Sequence, residues 1–315
     1  MNLASKGDAA RRPPGDDSRA QRSSWDFEAG DEIAPGLYAQ RLLGGGTRYE
    51  AYLATDEELL SVVVVKILRP DKVDSKSSVS GLAAEKRSFE ALAHPSIPRS
   101  FGGDVDGERP HLVLEQIEGP RLSTLLRKYG ALPLEQLLPL AIQVASALHY
   151  THRRGMVHLD VKPSNMIMSG PPKLIDFSVA CTIEEAWELS SQVGTDAYMA
   201  PEQCDPPRTG TVATAADVWG LGLTLHHAAL GRLPFPEAIK DGALEERFPQ
   251  LARAPEPLPA KSTPPLLKEM LESCLARDPA DRPTPKELSI GLEPLIAALP
   301  RKPVLGRMRP RIRRP

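Results

Sequence analysis

The spacing of hydrophobic residues changes about a third of the way along the chain. Between residue 36 and about residue 115, short runs with β-type spacing surround one helical stretch, GLAAEKRSFEALA. These runs are LYAQRLL, YEAYLA, SVVVVKIL and HLVLE. From residue 121 onward the apolar spacing is helical, as in LEQLLPLAIQVASALHYTH, ADVWGLGLTLHHAALG and PPLLKEMLESCLA. The pattern predicts a small sheet with one helix, followed by a larger helical lobe.

The two ends of the chain lack this spacing. We predict a disordered arm over residues 1–30, because Ala, Arg, Asp, Gly and Pro dominate it and leave little to bury. Its only aromatic residues, Trp25 and Phe27, could alternatively dock on the folded body. Residues 299–315 are predicted to form a basic tail, since residues 301–315 carry seven basic residues and no acidic one. This tail either binds an acidic partner or remains solvated.

Composition narrows the class of protein. A chain of 315 residues with a net charge of −2 suits one large domain or two lobes, and favours neither nucleic acid nor membrane as a partner. It contains no run of 18 apolar residues, so we expect no membrane span. The three cysteines are widely spaced, odd in number and match no metal-binding spacing. This usage suits a reducing compartment, and we therefore expect a cytoplasmic protein.

A glycine-rich turn and a lysine form the first candidate site. Glycines 44, 45 and 46 would let backbone N–H groups approach a phosphate, although an ordinary hairpin also fits. Strand alternation places Lys66 on one face with Val62 and Val64, where an ammonium needs an anionic partner. Glu85 is the lone carboxylate on the apolar face of the next predicted helix. The alternative leaves Glu85 in water while the Lys66 ammonium reaches out to solvent.

Polar residues concentrate in HLDVKPSN, residues 158–165, and eleven residues after its end the apolar run KLIDFS delivers Asp176. Asp160, Asn165 and Asp176 offer oxygen ligands suited to a hard cation, and Lys162 could reach a phosphoryl oxygen. A chance polar turn beside an unrelated strand end would have to reproduce all of these spacings. The sequence therefore predicts a site for a metal ion and a phosphate.

Together these motifs resemble those of Hanks-type Ser/Thr protein kinases, over roughly residues 34–290. LGGG resembles the glycine-rich loop, VVVK the strand with the phosphate lysine, and HLDVKPSN the catalytic loop. DFS resembles the metal motif and MAPE the end of the activation segment. The resemblance implies a kinase domain over residues 31–298 with an α+β, bilobal fold. Its N-lobe, about 31–115, would be a small, mainly antiparallel sheet with one helix, and its C-lobe, about 118–298, would be helical.

The resemblance also implies roles for individual residues. Asp160 would orient the acceptor hydroxyl and take its proton, and Asn165 and Asp176 would hold Mg²⁺, for which Mn²⁺ could substitute. The backbone of Glu115 and Ile117 would bind adenine. The other implied catalytic residues are Lys162, Lys66, Glu85 and Thr195. The implied ATP-binding residues are Leu43, Gly44, Gly46, Ala51, Val64, Lys66, Leu114, Glu115 and Ile117.

Further positions narrow the class of substrate. Lys162 and Thr195 match the positions that in the family shape the site for Ser and Thr acceptors. Asp217 would hold the catalytic loop, and Arg282 would pair with Glu202 in a structural ion pair. We therefore expect protein substrates with Ser or Thr acceptors.

Four positions depart from the family pattern: Tyr49 in place of the third loop glycine, Ala51, Leu159 in place of arginine, and Ser178 in place of glycine. None removes a charge that touches nucleotide or metal. We therefore predict an active ATP-dependent Ser/Thr kinase of the non-RD type, meaning one without arginine before the catalytic aspartate. The alternatives are a nucleotide-binding pseudokinase that acts as a scaffold and a small-molecule phosphotransferase.

Overall fold

A six-stranded antiparallel sheet and one long helix, α1 (Lys76–Ala91), form the smaller of two lobes. The computed structural model describes residues 23–261 and 263–300. The strands are β1 (Glu32–Ala34), β2 (Leu37–Gly45), β3 (Tyr49–Asp56), β4 (Ser61–Leu68), β5 (Ser100–Gly102) and β6 (His111–Glu115). Across the sheet their order is β1-β2-β3-β4-β6-β5. The four strands predicted from sequence are β2, β3, β4 and β6, and the predicted helix is α1.

The two faces of the sheet have different neighbours. Val63, Val65 and Ile67 of β4 are fully buried in a core that covers one face. Because side chains alternate along a strand, Val64 and Lys66 lie on the other face. There Val64 packs in the cluster that includes residues of α1 and Phe177 of the second lobe. Lys66 thus shares a face of β4 with apolar residues, as predicted. Its ammonium lies between the lobes.

The segment before β1 is ordered against the sheet. The Trp25 indole N–H donates a hydrogen bond to the Leu68 carbonyl at 2.7 Å, and the Phe27 ring contacts Tyr52 edge-on at 5.4 Å. The Arg109 guanidinium lies 5.2 Å from the ring centroids of both Trp25 and Phe27. The predicted disordered arm is therefore wrong for residues 23–30, where aromatic docking offsets the ordering cost. Residues 1–22 lie outside the described part of the chain.

Helices dominate the second lobe. They are α2 (Leu122–Tyr129), α3 (Leu134–Arg153), α4 (Ile183–Trp187), α5 (Pro201–Cys204), α6 (Pro206–Thr209), α7 (Thr214–Leu230), α8 (Leu244–Arg247), α9 (Pro265–Cys274) and α10 (Pro285–Ala298). The three helical runs predicted from sequence correspond to α3, α7 and α9. Helix α10 packs on α3 and α9 packs on α7 around one apolar core. The bilobal α+β prediction is thereby confirmed.

The helical lobe also contains four two-residue strands. They are β7 (Met156–Val157), β8 (Met166–Ile167), β9 (Lys173–Leu174) and β10 (Cys181–Thr182), paired antiparallel as β7 with β10 and β8 with β9. These strands hold the loops that carry the candidate site.

The chain was also predicted to lack a membrane span and to carry a basic tail over residues 299–315. Within residues 23–261 and 263–300, no helix has the length and apolar character needed to cross a bilayer. Leu299 still packs against the helical core. The rest of the predicted basic tail, from residue 301, lies outside the described residues.

Candidate active site

Lys66 joins the two lobes through a pair of carboxylates. Its ammonium lies 2.7 Å from both Glu85 carboxylate oxygens and 2.9 Å from Asp176 Oδ1. Glu85 is 1% exposed, so the buried pairing predicted from the face of α1 is the arrangement that the structure adopts. Burial acts to lower the pKa of Lys66, but the charges of Glu85 and Asp176 outweigh it and raise that pKa above its ordinary value.

Asp176 and Asn165 are brought together by the short β8–β9 hairpin. Asn165 immediately precedes β8 and Asp176 lies two residues after β9, while the Ile175 N–H donates to the Asn165 carbonyl at 2.8 Å. Asp176 has a φ of 68°, in the left-handed region that few residues other than glycine adopt. Burial acts to raise the pKa of Asp176, but the Lys66 ammonium and a hydrogen bond from Ser178 hold that pKa well below its ordinary value. The Asp176 carboxylate is thus ionised at neutral pH.

A buried carboxylate shapes the loop that carries Asp160. Asp217 in α7 accepts hydrogen bonds from the backbone N–H of His158 at 2.9 Å and of Leu159 at 2.7 Å. A third bond joins it to His152 Nε2 at 2.9 Å. Leu159 has a φ of 62°, and these bonds hold its backbone in that strained region. Asp217 therefore holds the loop in one conformation, the role that the resemblance implied.

Asp160 lies at the centre of a hydrogen-bonded group. Its carboxylate is 2.7 Å from the Lys162 ammonium and accepts a 2.7 Å bond from the Thr195 hydroxyl. The Lys162 ammonium also donates to Thr195 Oγ1. Asn165 Nδ2 donates to the Asp160 backbone carbonyl at 3.0 Å and to its carboxylate at 3.1 Å. Every side chain of the predicted catalytic set therefore lies in this group or in the Lys66 group.

The same bonds bear on the fit of a magnesium ion. Asn165 Nδ2 donates to Asp160, which leaves Asn165 Oδ1 to accept a hydrogen bond or to bind a metal ion. Lys66 binds Asp176 Oδ1, which leaves Asp176 Oδ2 for the same purpose. Mg²⁺ is usually bound by one or two protein oxygens together with substrate phosphates and water. In the described part of the chain, no group of three or more His, Cys, Asp or Glu could form an all-protein metal site. The donor set fits a metal ion that arrives with a nucleotide.

Comparison with known proteins identifies this arrangement. The protein kinase domain family matches residues 38–290, most of the chain. The chain belongs to the protein kinase domain family. The resemblance drawn from the sequence motifs is thus confirmed, and the region between the lobes corresponds to the cleft of a kinase domain.

Several bacterial proteins are similar to this kinase domain. Serine/threonine-protein kinase PknA of Mycobacterium tuberculosis is 32% identical over 252 residues, which cover 77% of this chain and 57% of PknA. PknB of Mycobacterium leprae is 30% identical over 225 residues, covering 69% of this chain and 35% of PknB. PrkC of Bacillus subtilis is 28% identical over 258 residues, covering 80% and 39%. The chain thus matches about half of these relatives' length or less.

The predicted nucleotide-binding residues lie on, or close to the ends of, strands β2, β3, β4 and β6. Ala51 pairs with Lys66 across β3 and β4, and Val64 pairs with Leu114 across β4 and β6. Leu43 and Gly44 lie near the end of β2, and Gly46 follows it. Glu115 ends β6 and Ile117 lies two residues on. The structure thus places these residues around one region, and their contacts with ATP remain a prediction.

Sequence reasoning missed how the glycine-rich turn is held. The Arg69 guanidinium donates to the Gly46 carbonyl at 2.8 Å and to the Ser23 carbonyl at 2.9 Å, and forms a buried ion pair with Glu50 at 2.9 Å. The Trp25 backbone N–H also donates to the Glu50 carboxylate, at 3.2 Å. The docked N-terminal segment is therefore linked to the glycine-rich turn through one arginine. No local motif signals such a link between residues 46 positions apart.

Tyr49, which the sequence left without an interpretation, fills space beside the lysine. The Lys66 ammonium lies 4.6 Å from the centre of the Tyr49 ring. The Tyr49 hydroxyl is buried without a hydrogen-bond partner among the described residues, and burial raises its pKa. Gly81 of α1 lies beside that hydroxyl, since a Cβ added to Gly81 would be in ordinary contact with it at 3.4 Å. Tyr49 thus packs between β4 and α1.

The activation segment is joined to the catalytic loop by apolar packing. Leu159 is 3% exposed and packs in a cluster with Ala186 of α4 and Trp219 of α7. Gln203 Nε2 donates to the Leu159 and Val193 carbonyls, each at 2.9 Å.

The C-terminal end of the activation segment is held by a buried ion pair. The Arg282 guanidinium donates to both carboxylate oxygens of Glu202, at 2.6 and 2.9 Å. Both side chains are at most 1% exposed, as expected of the structural pair that the resemblance implied. Arg282 also donates to the Ala215 carbonyl at 3.0 Å, which connects the pair to the start of α7.

Proposed function

We propose that this chain is an ATP-dependent protein kinase that transfers the γ-phosphoryl group to Ser and Thr hydroxyls of protein substrates in the cytoplasm. The single observation that carries the proposal is the convergence of two groups on one cleft. One group contains Lys66, Glu85 and Asp176, and the other contains Asp160, Lys162 and Thr195. The names of the bacterial relatives support the same class of acceptor.

Each group has a distinct task in this proposal. Glu85 and Asp176 hold the Lys66 ammonium at a definite point on the sheet side of the cleft, where it would bind the α- and β-phosphates of ATP. Asn165 and Asp176 would hold Mg²⁺, which offsets phosphate charge when bound. In the present structure the other Asp176 oxygen, Oδ1, binds the Lys66 ammonium, so the lysine and the metal site are coupled through one carboxylate.

Asp160 would accept the proton of the acceptor hydroxyl. Its carboxylate is held by Lys162 and Thr195, so it points in one direction before the substrate arrives. Lys162 is close enough to Asp160 to neutralise charge on the transferring phosphoryl group. Leu159 before it carries no charge, and we therefore assign the chain to the non-RD type.

The test measures phosphoryl transfer and nucleotide binding separately. The purified chain is incubated with radiolabelled ATP, Mg²⁺ and a generic protein substrate, and the labelled amino acids are identified. We expect label on Ser and Thr, and a loss of rate of about 100-fold or more in Asp160→Asn because the general base is removed. ATP affinity should be retained in this variant, since Asp160 bonds to Lys162 and Thr195 and not to Lys66.

Matched variants distinguish an enzyme from a nucleotide-binding scaffold. Asp176→Ala should lose both transfer and Mg²⁺-dependent ATP binding, whereas Asp106→Asn, at an exposed aspartate in the loop between β5 and β6, should lose neither. Normal ATP binding with no transfer by the unaltered chain would contradict the proposal and support the pseudokinase.

A further inference from the structure

A depression in the helical lobe opens directly beside Asp160. It lies between α2, the catalytic loop and the end of α7, and has a volume of about 350 Å³. The polar side chains that line it include Ser123, Arg127, Lys162, Ser164, Thr195 and His227. Two of them, Lys162 and Thr195, are the residues that bond to the Asp160 carboxylate. A substrate whose hydroxyl reaches Asp160 must therefore place its neighbouring residues over this depression, which we term the flank pocket.

The flank pocket carries positive charge without a balancing carboxylate. No Asp or Glu is among its lining residues. The charge of Lys162 is balanced by Asp160, but Arg127 is exposed and forms no ion pair with any residue in the described ranges. Arg121, just before α2, donates to the carbonyl of the lining residue Ser164 at 2.7 Å and likewise has no carboxylate partner in those ranges. Two guanidinium groups are thus left to act on whatever enters the pocket.

The other groups around the flank pocket do not offset these charges. His227 is joined to the Tyr198 hydroxyl by a 2.7 Å hydrogen bond, and burial lowers its pKa, so it is neutral near pH 7. The carboxylate of Asp196, next to Thr195 in sequence, is 3.0 Å from Arg247 Nε and is balanced there. The serine and threonine hydroxyls can donate hydrogen bonds to an anion. The surroundings therefore favour an anionic side chain over a cationic one.

We propose that the flank pocket selects protein substrates that carry an acidic side chain, Asp or Glu, within about three residues of the Ser or Thr acceptor. This inference rests on the proposed kinase function and names the substrate class of the same site. An extended chain advances about 3.3 Å per residue, so only close neighbours of the acceptor can reach a pocket lined by Lys162 and Thr195. Lysine and arginine at the same substrate position would face Arg127 and Arg121 and be disfavoured.

Peptide kinetics test this selection. A serine peptide with alanines around the acceptor is compared with peptides that carry Glu or Arg at each of the three positions on either side. We expect kcat/KM for Glu to exceed that for Arg on the order of tenfold at one or more positions, since each partly exposed charge contact changes the rate by a few-fold.

Charge-reversed variants locate the selecting residue. Arg127→Glu should remove or invert the ratio of Glu to Arg at the same peptide position, and Arg127→Gln should give an intermediate ratio. Lys128→Glu is the matched control, because Lys128 lies on the same helix but does not line the flank pocket. It should leave the ratio unchanged. The all-alanine peptide reports for each variant whether the domain is folded and active.

The outcomes separate this inference from the proposed function. Equal kcat/KM for Glu and Arg at every position would overturn the inference, as would a Glu preference that Arg127→Glu does not alter. In both cases phosphorylation of the alanine peptide leaves the kinase function intact. Absence of phosphorylation of every peptide would overturn both together.

Discussion

At the scale of single residues, Tyr49 shows how a departure from the family pattern is accommodated. A glycine at this position would leave open the space that the ring fills beside the Lys66 ammonium. The Tyr49 hydroxyl lies beside Gly81, one turn before Glu85 on α1. Because Tyr49 contacts the lysine and adjoins the helix that carries its carboxylate partner, the ring helps to hold β4 and α1 together.

The ring of Tyr49 and its hydroxyl should have opposite effects on stability. Tyr49→Phe removes a buried hydroxyl without a partner, so the free energy of unfolding should be unchanged or rise by about 1 kcal/mol. Tyr49→Gly removes the ring and adds backbone freedom, and should lower that free energy by about 2–3 kcal/mol and raise KM for ATP. Denaturant unfolding and ATP titration measure both effects. If Tyr49→Phe were as damaging as Tyr49→Gly, the hydroxyl itself would contribute to stability or to ATP binding.

At the scale of secondary-structure elements, the activation segment is held without a phosphate. Leu159 packs against Ala186 of α4, and Thr182 caps that helix by accepting from the Glu185 N–H at 3.1 Å. A phosphate on the segment would find no arginine at position 159 to bind. Ser190 and Ser191 are exposed. The packing therefore does by apolar contact what an arginine and a phosphate do where both are present.

Activity should consequently survive removal of the phosphorylatable residues Thr182, Ser190 and Ser191. With all three replaced by Ala, we expect transfer within roughly threefold of wild type, because no phosphate-binding arginine is lost with them. Thr195→Ala, in the same segment, should lower the rate by about tenfold or more, since it removes a hydrogen bond to the Asp160 carboxylate. Transfer rates and thermal unfolding are measured for both variants. Loss of activity in the folded triple variant would show that phosphorylation is required.

The sequence predicted most of the long elements, with α10 as the exception, and missed the shortest ones. Strand β4 and helix α3 extend over enough residues for apolar spacing to be read, and both begin where it predicted. Strands β7 to β10 have two residues each, which is too few for any period. The run before Asp176 is therefore a two-residue strand followed by a turn. The ion pair of Lys66 with Glu85 could be predicted from the strand face and the helix face on which the two residues lie. The docking of Trp25 could not, because it depends on Leu68, which is distant in sequence.

At the scale of the whole molecule, ion pairs connect parts that are far apart in sequence. Lys66 and Asp176, 110 residues apart, link the sheet lobe to the helical lobe. Glu202 and Arg282, 80 residues apart, link the end of the activation segment to the loop before α10. The first pair is 13% and 36% exposed, whereas the second is at most 1% exposed. Removing one partner of the second pair should therefore cost more stability, because the charge left unpaired there has no access to water.

Removing Arg282 tests this contribution. Arg282→Met leaves the Glu202 carboxylate buried and unpaired, and should lower the free energy of unfolding by about 3–5 kcal/mol. In a domain of this size the melting temperature should then fall by roughly 10 °C. The matched control is Arg232→Met, which breaks an ion pair with Glu256 whose side chains are 62% and 42% exposed, and should cost under about 1 kcal/mol. Replacing both Glu202 and Arg282 by apolar residues should restore much of the loss, since no charge is then left unpaired. Equal destabilisation by Arg282→Met and Arg232→Met would mean that breaking the buried pair costs no more free energy of unfolding than breaking the exposed one. Apolar packing alone would then hold the activation segment to the helical lobe.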